Sequence, residues 1–162
     1  MPINIIAVLV AALVPMALGF IWYNPKTPMG ATWMRETGMT EEKMKGSNMA
    51  VIFGLSLLFS FFLSWSVGNV VIHQMGIFSI FQHEELKAST DAMNELMNNY
   101  GGYFRTVKHG LIHGFFMGLT IVLPVMATNA MFERKSWKLT WVNVGYWTIC
   151  LMIMGAIICA WQ

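Results

Sequence analysis

Four long apolar stretches constrain the fold of this chain more than any other feature. They cover Ile5–Tyr23, Met49–Ile72, His109–Met131 and Leu139–Trp161, and none of them contains Asp, Glu, Lys or Arg. A helix rises about 1.5 Å per residue, so about 20 apolar residues cross the roughly 30 Å hydrocarbon core of a bilayer. The sequence therefore predicts four transmembrane helices, which we number spans one to four.

The overall composition is also that of a membrane protein. Hydrophobic residues make up 56% of the 162 residues and charged residues 11%, whereas soluble domains average roughly 25% charged residues. We therefore predict an all-α, polytopic membrane protein with a single domain, residues 1–162, and the lipid bilayer as its main partner. The net charge of +2 and the lack of a basic run predict no nucleic-acid partner.

Span one is predicted to be a retained helix rather than a cleaved signal peptide. The residues before it carry no basic side chain, and the stretch ends in aromatic rather than small residues. Aromatic rings with a polar edge settle at the membrane–water interface. The predicted interface anchors are Trp22, Tyr23, Trp33 and Trp137.

The distribution of basic residues predicts the orientation of the chain. Loop one (residues 24–48) and loop three (residues 132–138) contain four and three basic residues, and loop two (residues 73–108) contains three. Basic loops are retained on the cytoplasmic side. We therefore expect loops one and three in the cytoplasm, with loop two and both chain ends outside.

Loop one is predicted to contain a short helix lying in the interface. Thr27 is a candidate N-cap, Pro28 fits the first helical position and Gly38 fits the position just past the end. Farther along, Thr40 precedes two glutamates and is a second candidate N-cap. That second cap predicts a span two that starts well before the bilayer.

Loop two is predicted to contain an amphipathic helix. Ser89 or Thr90 can cap it, and Gly101 can end it. Its apolar residues fall at helical spacing and are Met93, Leu96, Met97 and Tyr100.

Small residues recur every four positions on two consecutive spans. Lipid provides no hydrophobic drive for helix association, so small side chains that let backbones approach are the usual contact. We therefore predict that spans two and three pack tightly together, or that one stripe contacts a second subunit. The helix-packing residues are Ser56, Ser60, Ser64 and Gly68 on span two, and Gly110, Gly114 and Gly118 on span three.

Two prolines lie within spans. Pro15 is in span one and Pro124 is in span three. Proline removes a backbone hydrogen bond, so each is expected to kink its helix.

The histidines are the main candidates for chemistry. His109 and His113 lie one helical turn apart, and His73 and His83 follow span two on the same predicted side. This spacing can present imidazoles to a metal ion, so His73, His109 and His113 are candidate metal or haem ligands. Interfacial histidines are also common hydrogen-bonding residues, and no acidic or cysteine ligand lies at their depth. We therefore predict no metal, no cofactor and no catalytic residue.

Two segments resemble a known family. They are "GFIWYNPKTPMGATWMRETGMT" (residues 19–40) and "ATNAMFERKSWKLTWVNVGYW" (residues 127–147), and their most specific parts are "WYNP" and "FERKSWK". They resemble small bacterial membrane proteins catalogued as domain of unknown function 1761. The resemblance implies a compact four-span protein of the bacterial inner membrane and transfers no catalytic residue.

These observations lead to one predicted function and two alternatives. We predict a non-catalytic scaffold or accessory subunit that works through helix packing, as a homo-oligomer or within a larger membrane complex. The first alternative is a small transporter or binding bundle for an apolar or weakly polar solute, with the histidines and the asparagines of the spans near its mouth. Those asparagines are Asn4, Asn69, Asn129 and Asn143. The second is a membrane redox subunit with a metal or haem on the histidines.

Overall fold

Four long helices confirm the predicted all-α architecture. The computed structural model describes residues 3–81 and 90–161. The helices long and apolar enough to cross a bilayer are Ile5–Trp22, Met49–Val71, Val107–Phe132 and Trp137–Ala160. They match the predicted spans closely, and spans one to four have these bounds from here on.

Both proline-containing spans are interrupted close to the proline. Span one breaks at Leu13, between the α-helices Ile5–Ala12 and Val14–Trp22. In span three, Gly118–Val122 form a π-helical turn just before Pro124. The remaining parts of span three are the α-helices Val107–Met117 and Leu123–Phe132. A proline ring clashes with the carbonyl one turn earlier, and the wider π turn relieves that crowding.

Span four lies at the centre of the bundle and contributes most of the core. Its buried residues include Cys150, Leu151, Met154 and Ile158, each no more than 2% exposed. The hydroxyl group of Tyr146 on this span donates a 2.6 Å hydrogen bond to the carbonyl oxygen of Pro15. Pro15 lies in the first turn of the helix Val14–Trp22, so this bond fastens span four to span one next to the break at Leu13.

The glycine stripe of span three packs against span four, so the predicted pairing with span two is wrong. A Cβ atom added to Gly110 would meet the backbone of Gly155, and one added to Gly114 would meet the backbone of Leu151. Gly118 approaches the side chain of Thr148 on span four. Span four offers a glycine of its own at the point of closest approach, which lets the two backbones touch from both sides.

The small-residue stripe of span two faces span one rather than span three. Ser60 and Ser64 are buried, and the Ser64 hydroxyl donates a 2.7 Å hydrogen bond to the carbonyl oxygen of Val8. A Cβ atom added to Gly68 would meet Ile3, which precedes span one, and Ile158 of span four, whereas Ser56 is exposed. The stripe pattern thus identifies a close-packing face without identifying its neighbour.

Two of the predicted interface anchors also fasten span one to span four. The indole N–H of Trp22 donates to a main-chain carbonyl of span four at 3.1 Å, and the hydroxyl of Tyr23 donates to Oδ1 of Asn143 at 3.0 Å. The ring of Trp33 stacks edge-on against Tyr23, 5.5 Å between centroids. Trp137 is 54% exposed.

The predicted helix of loop one is confirmed as Pro28–Thr37. The Thr27 side chain caps it by accepting the N–H of Gly30 at 3.1 Å. Gly38 ends it in the left-handed region, with φ of 63°, where a residue without a Cβ is least strained.

The predicted early start of span two is wrong. Thr40 caps a separate short helix, Glu41–Lys45, and the chain then turns at Gly46. Asn48 provides a new cap by accepting the N–H of Val51 at 3.2 Å, so span two begins at Met49.

The described parts of loop two, residues 73–81 and 90–106, contain two helices where the sequence predicted one. The predicted amphipathic helix is present as Thr90–Tyr100, and a second helix, Gln74–Phe81, directly follows span two. Ser89, the other candidate cap, lies outside the described residues.

Candidate functional site

Three histidine side chains meet where span two ends and span three begins. Nε2 of His73 lies 2.8 Å from Nε2 of His109. The ring centroid of His113 lies 4.4 Å from that of His109 and 5.1 Å from that of His73. One ring nitrogen of each residue lies within 4.8 Å of the others. We call these three residues the histidine cluster and the end of the bundle that carries it the histidine face.

The short contact between His73 and His109 restricts the protonation state of the pair. One Nε2 atom must donate a proton and the other must accept it with a lone pair. An imidazolium ring has no nitrogen lone pair, so the pair needs at least one neutral imidazole. A neutral imidazole is also the form that binds a metal ion.

The glycine contact with span four determines the direction of the two span-three histidines. His109 and His113 each immediately precede a glycine of the stripe, so they are turned about 100° from the face that touches span four. Gly110 and Gly114 leave no freedom to rotate the helix, because backbone lies directly against them. This rotation points both rings toward the end of span two, where His73 follows the final turn.

The loop before span three places an aromatic ring over the cluster. The Phe104 ring centroid lies 5.2 Å from that of His109 and 5.8 Å from that of His73. Its backbone is left-handed, with φ of 62°, which costs a residue with a Cβ about 1–2 kcal/mol. Cys159 holds this conformation, since its Sγ lies 3.1 Å from the Phe104 carbonyl oxygen. Strained residues of this kind concentrate at functional sites.

Arg105 ties the same loop to the end of span four. Its Nε donates to the carbonyl oxygen of Cys159 at 2.8 Å, and a terminal nitrogen donates to that of Trp161 at 2.8 Å. The last carbonyls of a helix have no partner within it, so the guanidinium serves as a cap. The side chain is 8% exposed, and this burial lowers the pKa of Arg105. Phe104 is therefore anchored on both sides.

A cleft opens beside the histidine cluster, between the two helices of loop two and the turn before span three. Its volume is about 170 Å³, and its walls are almost entirely apolar. Gln74 lies in its wall, and the side-chain amide nitrogen donates to the carbonyl oxygens of Tyr103 at 2.9 Å and Tyr100 at 3.3 Å. The other lining residues are His73, Ile77, Leu96, Met97 and Phe104.

The comparison with protein families gives a clear assignment. A family model described as "Protein of unknown function (DUF1761)" matches residues 6–159, nearly the whole chain. The chain belongs to the DUF1761 family. This confirms the resemblance carried by "WYNP" and "FERKSWK". No curated protein and no solved structure matches the chain, so the DUF1761 assignment supplies no ligand or reaction.

Sequence and structure single out partly different residues of this DUF1761 chain. The three histidines that the sequence offered as candidate ligands do come together, and His83 lies outside the described residues. Phe104, Arg105 and Gln74 were missed. No local sequence pattern distinguishes a phenylalanine with a left-handed backbone, such as Phe104, or a buried glutamine, such as Gln74. For Arg105, its position close to the start of span three was the available signal.

Proposed function

We propose that this protein binds a transition-metal ion through His73, His109 and His113. The observation that carries the proposal is the convergence of one ring nitrogen from each residue to within 4.8 Å of the others. The sequence alone favoured no metal, because interfacial histidines are common hydrogen-bonding residues and no acidic or cysteine ligand lies at their depth. The measured approach of His73, which follows the end of span two, to both span-three histidines is the support that sequence spacing did not provide.

The ligand set favours a particular class of ion. Imidazole nitrogen suits zinc, copper, nickel and iron, whereas magnesium and calcium require oxygen ligands. Zinc–nitrogen bonds of about 2.0–2.1 Å in a tetrahedral site place ligand nitrogens about 3.3 Å apart. To bind the ion, the Nε2 atoms of His73 and His109, 2.8 Å apart, would move slightly apart. The ring nitrogens that lie farthest apart, within 4.8 Å, would approach each other by about 1.5 Å. Side-chain rotation at the exposed end of the bundle allows both.

Three neutral imidazole ligands would not neutralise the positive charge of the ion. They would also leave one coordination position free. Open three-histidine sites of this kind occur where the metal binds water or a substrate. Among the described residues, no carboxylate or thiolate joins the group. The site would therefore suit a neutral or anionic fourth ligand.

The proposal includes an orientation. Loops one and three together carry seven basic residues and loop two carries three. We therefore place the histidine face outside the cytoplasm, on the periplasmic side of a bacterial inner membrane. The metal would then bind from the periplasm.

The functions first predicted from the sequence have weaker support. The scaffold prediction depended on the glycine stripe, and span four already occupies that stripe within one chain. The transporter prediction needs a polar path, but Asn69 is exposed and donates to its own helix at Trp65, 2.9 Å away. The middle of the bundle is filled by core residues such as Ala11 and Met154, both 0% exposed.

Metal titration of purified protein without a polyhistidine tag tests the proposal. We expect one equivalent of Zn²⁺ or Co²⁺ to bind, with visible Co²⁺ absorption typical of nitrogen ligands. Replacement of His73, His109 or His113 by alanine should each weaken binding at least tenfold. Lys108→Ala, next to the cluster but outside it, is the matched control. Binding should also weaken as the pH falls, since protons compete with the metal for imidazole nitrogen.

Two results would contradict the proposal. One is the lack of saturable binding by metal-free protein at micromolar metal. The other is equal affinity in the three histidine variants and in Lys108→Ala, which would place the bound metal elsewhere.

A further inference from the structure

A second cleft lies between spans three and four, at the end of the bundle opposite the histidine face. Its volume is about 240 Å³, which exceeds the roughly 150 Å³ of an apolar cavity that holds benzene. Its wall is about equally polar and apolar, and we call it the polar cleft. The polar side chains that line it are those of Asn129, Glu133, Lys135, Thr140 and Asn143.

Two asparagines of the polar cleft keep amide N–H groups without a partner among the residues that the structure describes. Oδ1 of Asn143 accepts the hydroxyl of Tyr23 at 3.0 Å, which leaves the amide nitrogen free to donate. That nitrogen is not sealed inside the protein, and the Asn129 side chain is exposed. Asn69, in contrast, donates to its own helix. Polar groups in a membrane span need partners, so these two amides are available to a ligand.

Two opposite charges also line the polar cleft, in the turn that joins the two spans. Glu133 follows the last helical residue of span three, and Lys135 precedes span four. Within residues 3–81 and 90–161, no ion pair joins either side chain to another group. The carboxylate disfavours an anionic ligand and the lysine disfavours a cationic one. The charges therefore favour a ligand that carries both signs.

The polar groups are ordered along the direction in which the spans cross the membrane. Both charges lie outside the spans, whereas Asn143 lies six residues into span four, about 9 Å from its start. Asn129 lies three residues before the end of span three, about 4.5 Å from it. The interfacial layer of a bilayer is about 5–8 Å thick on each side. The charges are thus at the level of lipid headgroups, and the amides are near the level where headgroups give way to acyl chains.

We propose that the polar cleft binds the headgroup of a phospholipid with a primary ammonium, such as phosphatidylethanolamine. Lys135 would pair with the phosphate and Glu133 with the ammonium. The amide N–H groups of Asn129 and Asn143 would donate to the ester carbonyl oxygens below, which only accept hydrogen bonds. Basic pockets between membrane helices bind anionic headgroups, and the carboxylate is what shifts the preference here. The histidine cluster takes no part, because it lies at the opposite end of the spans.

Native mass spectrometry of delipidated protein in a nonionic detergent tests the site, because it counts the lipids bound to each protein molecule. Phosphatidylethanolamine is compared with phosphatidylcholine, which has no ammonium hydrogen, and with phosphatidylglycerol, which has no cation. All three carry the same acyl chains. We expect one phosphatidylethanolamine to bind at least about fivefold tighter than either of the others, the effect of one exposed charge-assisted contact. Equal affinities, or tighter binding of phosphatidylglycerol, would overturn the proposal.

A headgroup without acyl chains separates a lipid site from a site for a soluble molecule. Glycerophosphoethanolamine carries the same phosphate and ammonium but has no ester carbonyls and no chains. It should bind at least about tenfold more weakly, because it lacks the groups that would meet the two amides and the apolar part of the wall. Equal affinity would assign the polar cleft to a water-soluble zwitterion and overturn the lipid assignment.

Two pairs of variants locate the binding. Glu133→Gln should remove the preference for phosphatidylethanolamine over phosphatidylcholine. Glu42→Gln makes the same charge change at an exposed position of loop one and should keep the preference. Ala130→Trp should fill the cleft and abolish binding of all three lipids. Met131→Trp adds the same ring at the next position, which is exposed and does not line the cleft, and should leave binding intact.

The variants also define the contrary results. A preference that survives in Glu133→Gln, or that is lost equally in Glu42→Gln, would rule out the proposed contact with the ammonium. Unchanged binding in Ala130→Trp, or equal loss in Met131→Trp, would show that the lipid does not occupy the polar cleft. Should Ala130→Trp fail to fold, the two glutamine variants decide the question. A negative result here leaves the metal titration at the other end of the bundle unaffected.

Discussion

Substitution of Gly114 by alanine tests whether direct backbone contact between spans three and four holds the bundle together. The added Cβ would lie 2.5 Å from the carbonyl carbon of Leu151 and would also meet its oxygen and the Cα of Met152. Ordinary contacts at Cβ begin near 3.4 Å. The helices would therefore have to separate locally by about 1 Å, which the neighbouring contacts at Gly110 and Gly118 oppose.

The size of the effect follows from what the added methyl group meets. Overpacking of a well-packed site costs about 1–3 kcal/mol, and rigid backbone cannot move aside as a side chain can. Gly54 on span two provides a matched control, because nothing lies within 4 Å of a Cβ added there. Gly54→Ala should instead gain about 0.5–1 kcal/mol from helix propensity. Gly114→Ala receives the same propensity gain, so the free energies of unfolding of the two variants should differ by the overpacking cost alone, about 1–3 kcal/mol.

Unfolding by SDS in mixed micelles, followed by tryptophan fluorescence, measures this difference. The free energy is extrapolated linearly to zero denaturant, as for soluble proteins. Gly118→Ala should fall between the two variants, because its Cβ would meet the side chain of Thr148 rather than backbone. Equal stability of Gly114→Ala and Gly54→Ala would refute the reasoning, since it would mean that spans three and four separate at no measurable cost.

Three further predictions follow from single contacts. Phe104→Gly should be about 1 kcal/mol more stable than Phe104→Ala in the same assay, because both remove the ring and only glycine adopts a φ of 62° freely. Tyr146→Phe should lower the free energy of unfolding by about 1 kcal/mol through loss of its 2.6 Å bond to span one; an unchanged value would contradict the assigned bond. Hydrogen bonds from Ser136 and Arg35 hold the pKa of Glu36 below its usual range, so its contribution to stability is present above the ordinary carboxyl pKa and is lost as the pH falls through the lowered one. Ser136→Ala should raise that pKa, as measured by carbon NMR of the carboxyl group, and no shift would show that Ser136 does not act on it.

Much of the secondary structure could be predicted because it depends on local chemistry. Thr27, Pro28 and Gly38 each satisfy a requirement of a helix end within a few residues of the chain, and all three were assigned correctly. Thr40 shows where this reasoning stops. It does cap a helix, but that helix ends after one turn at Lys45, and residues beyond the cap decided its length.

The candidate site could be predicted only in part because its members come from distant parts of the chain. The sequence placed His109 and His113 on one side of a helix, but the 2.8 Å contact with His73 depends on how spans two and three are held relative to each other. Gln74 carries no pattern that distinguishes it from an exposed glutamine. Its unpaired oxygen arises only after the amide nitrogen has been fixed by Tyr100 and Tyr103.

The sequence by itself determined that this chain forms four membrane-length helices, since a bilayer core requires every backbone polar group to be satisfied within a span and a helix does so locally. Tertiary structure decided which small-residue face meets which neighbour. Glycine at Gly114 permits close approach to any helix, and the glycine at Gly155 on span four is what made that helix the closest partner of the stripe. That choice set the rotation of span three and, with it, the direction in which His109 and His113 point.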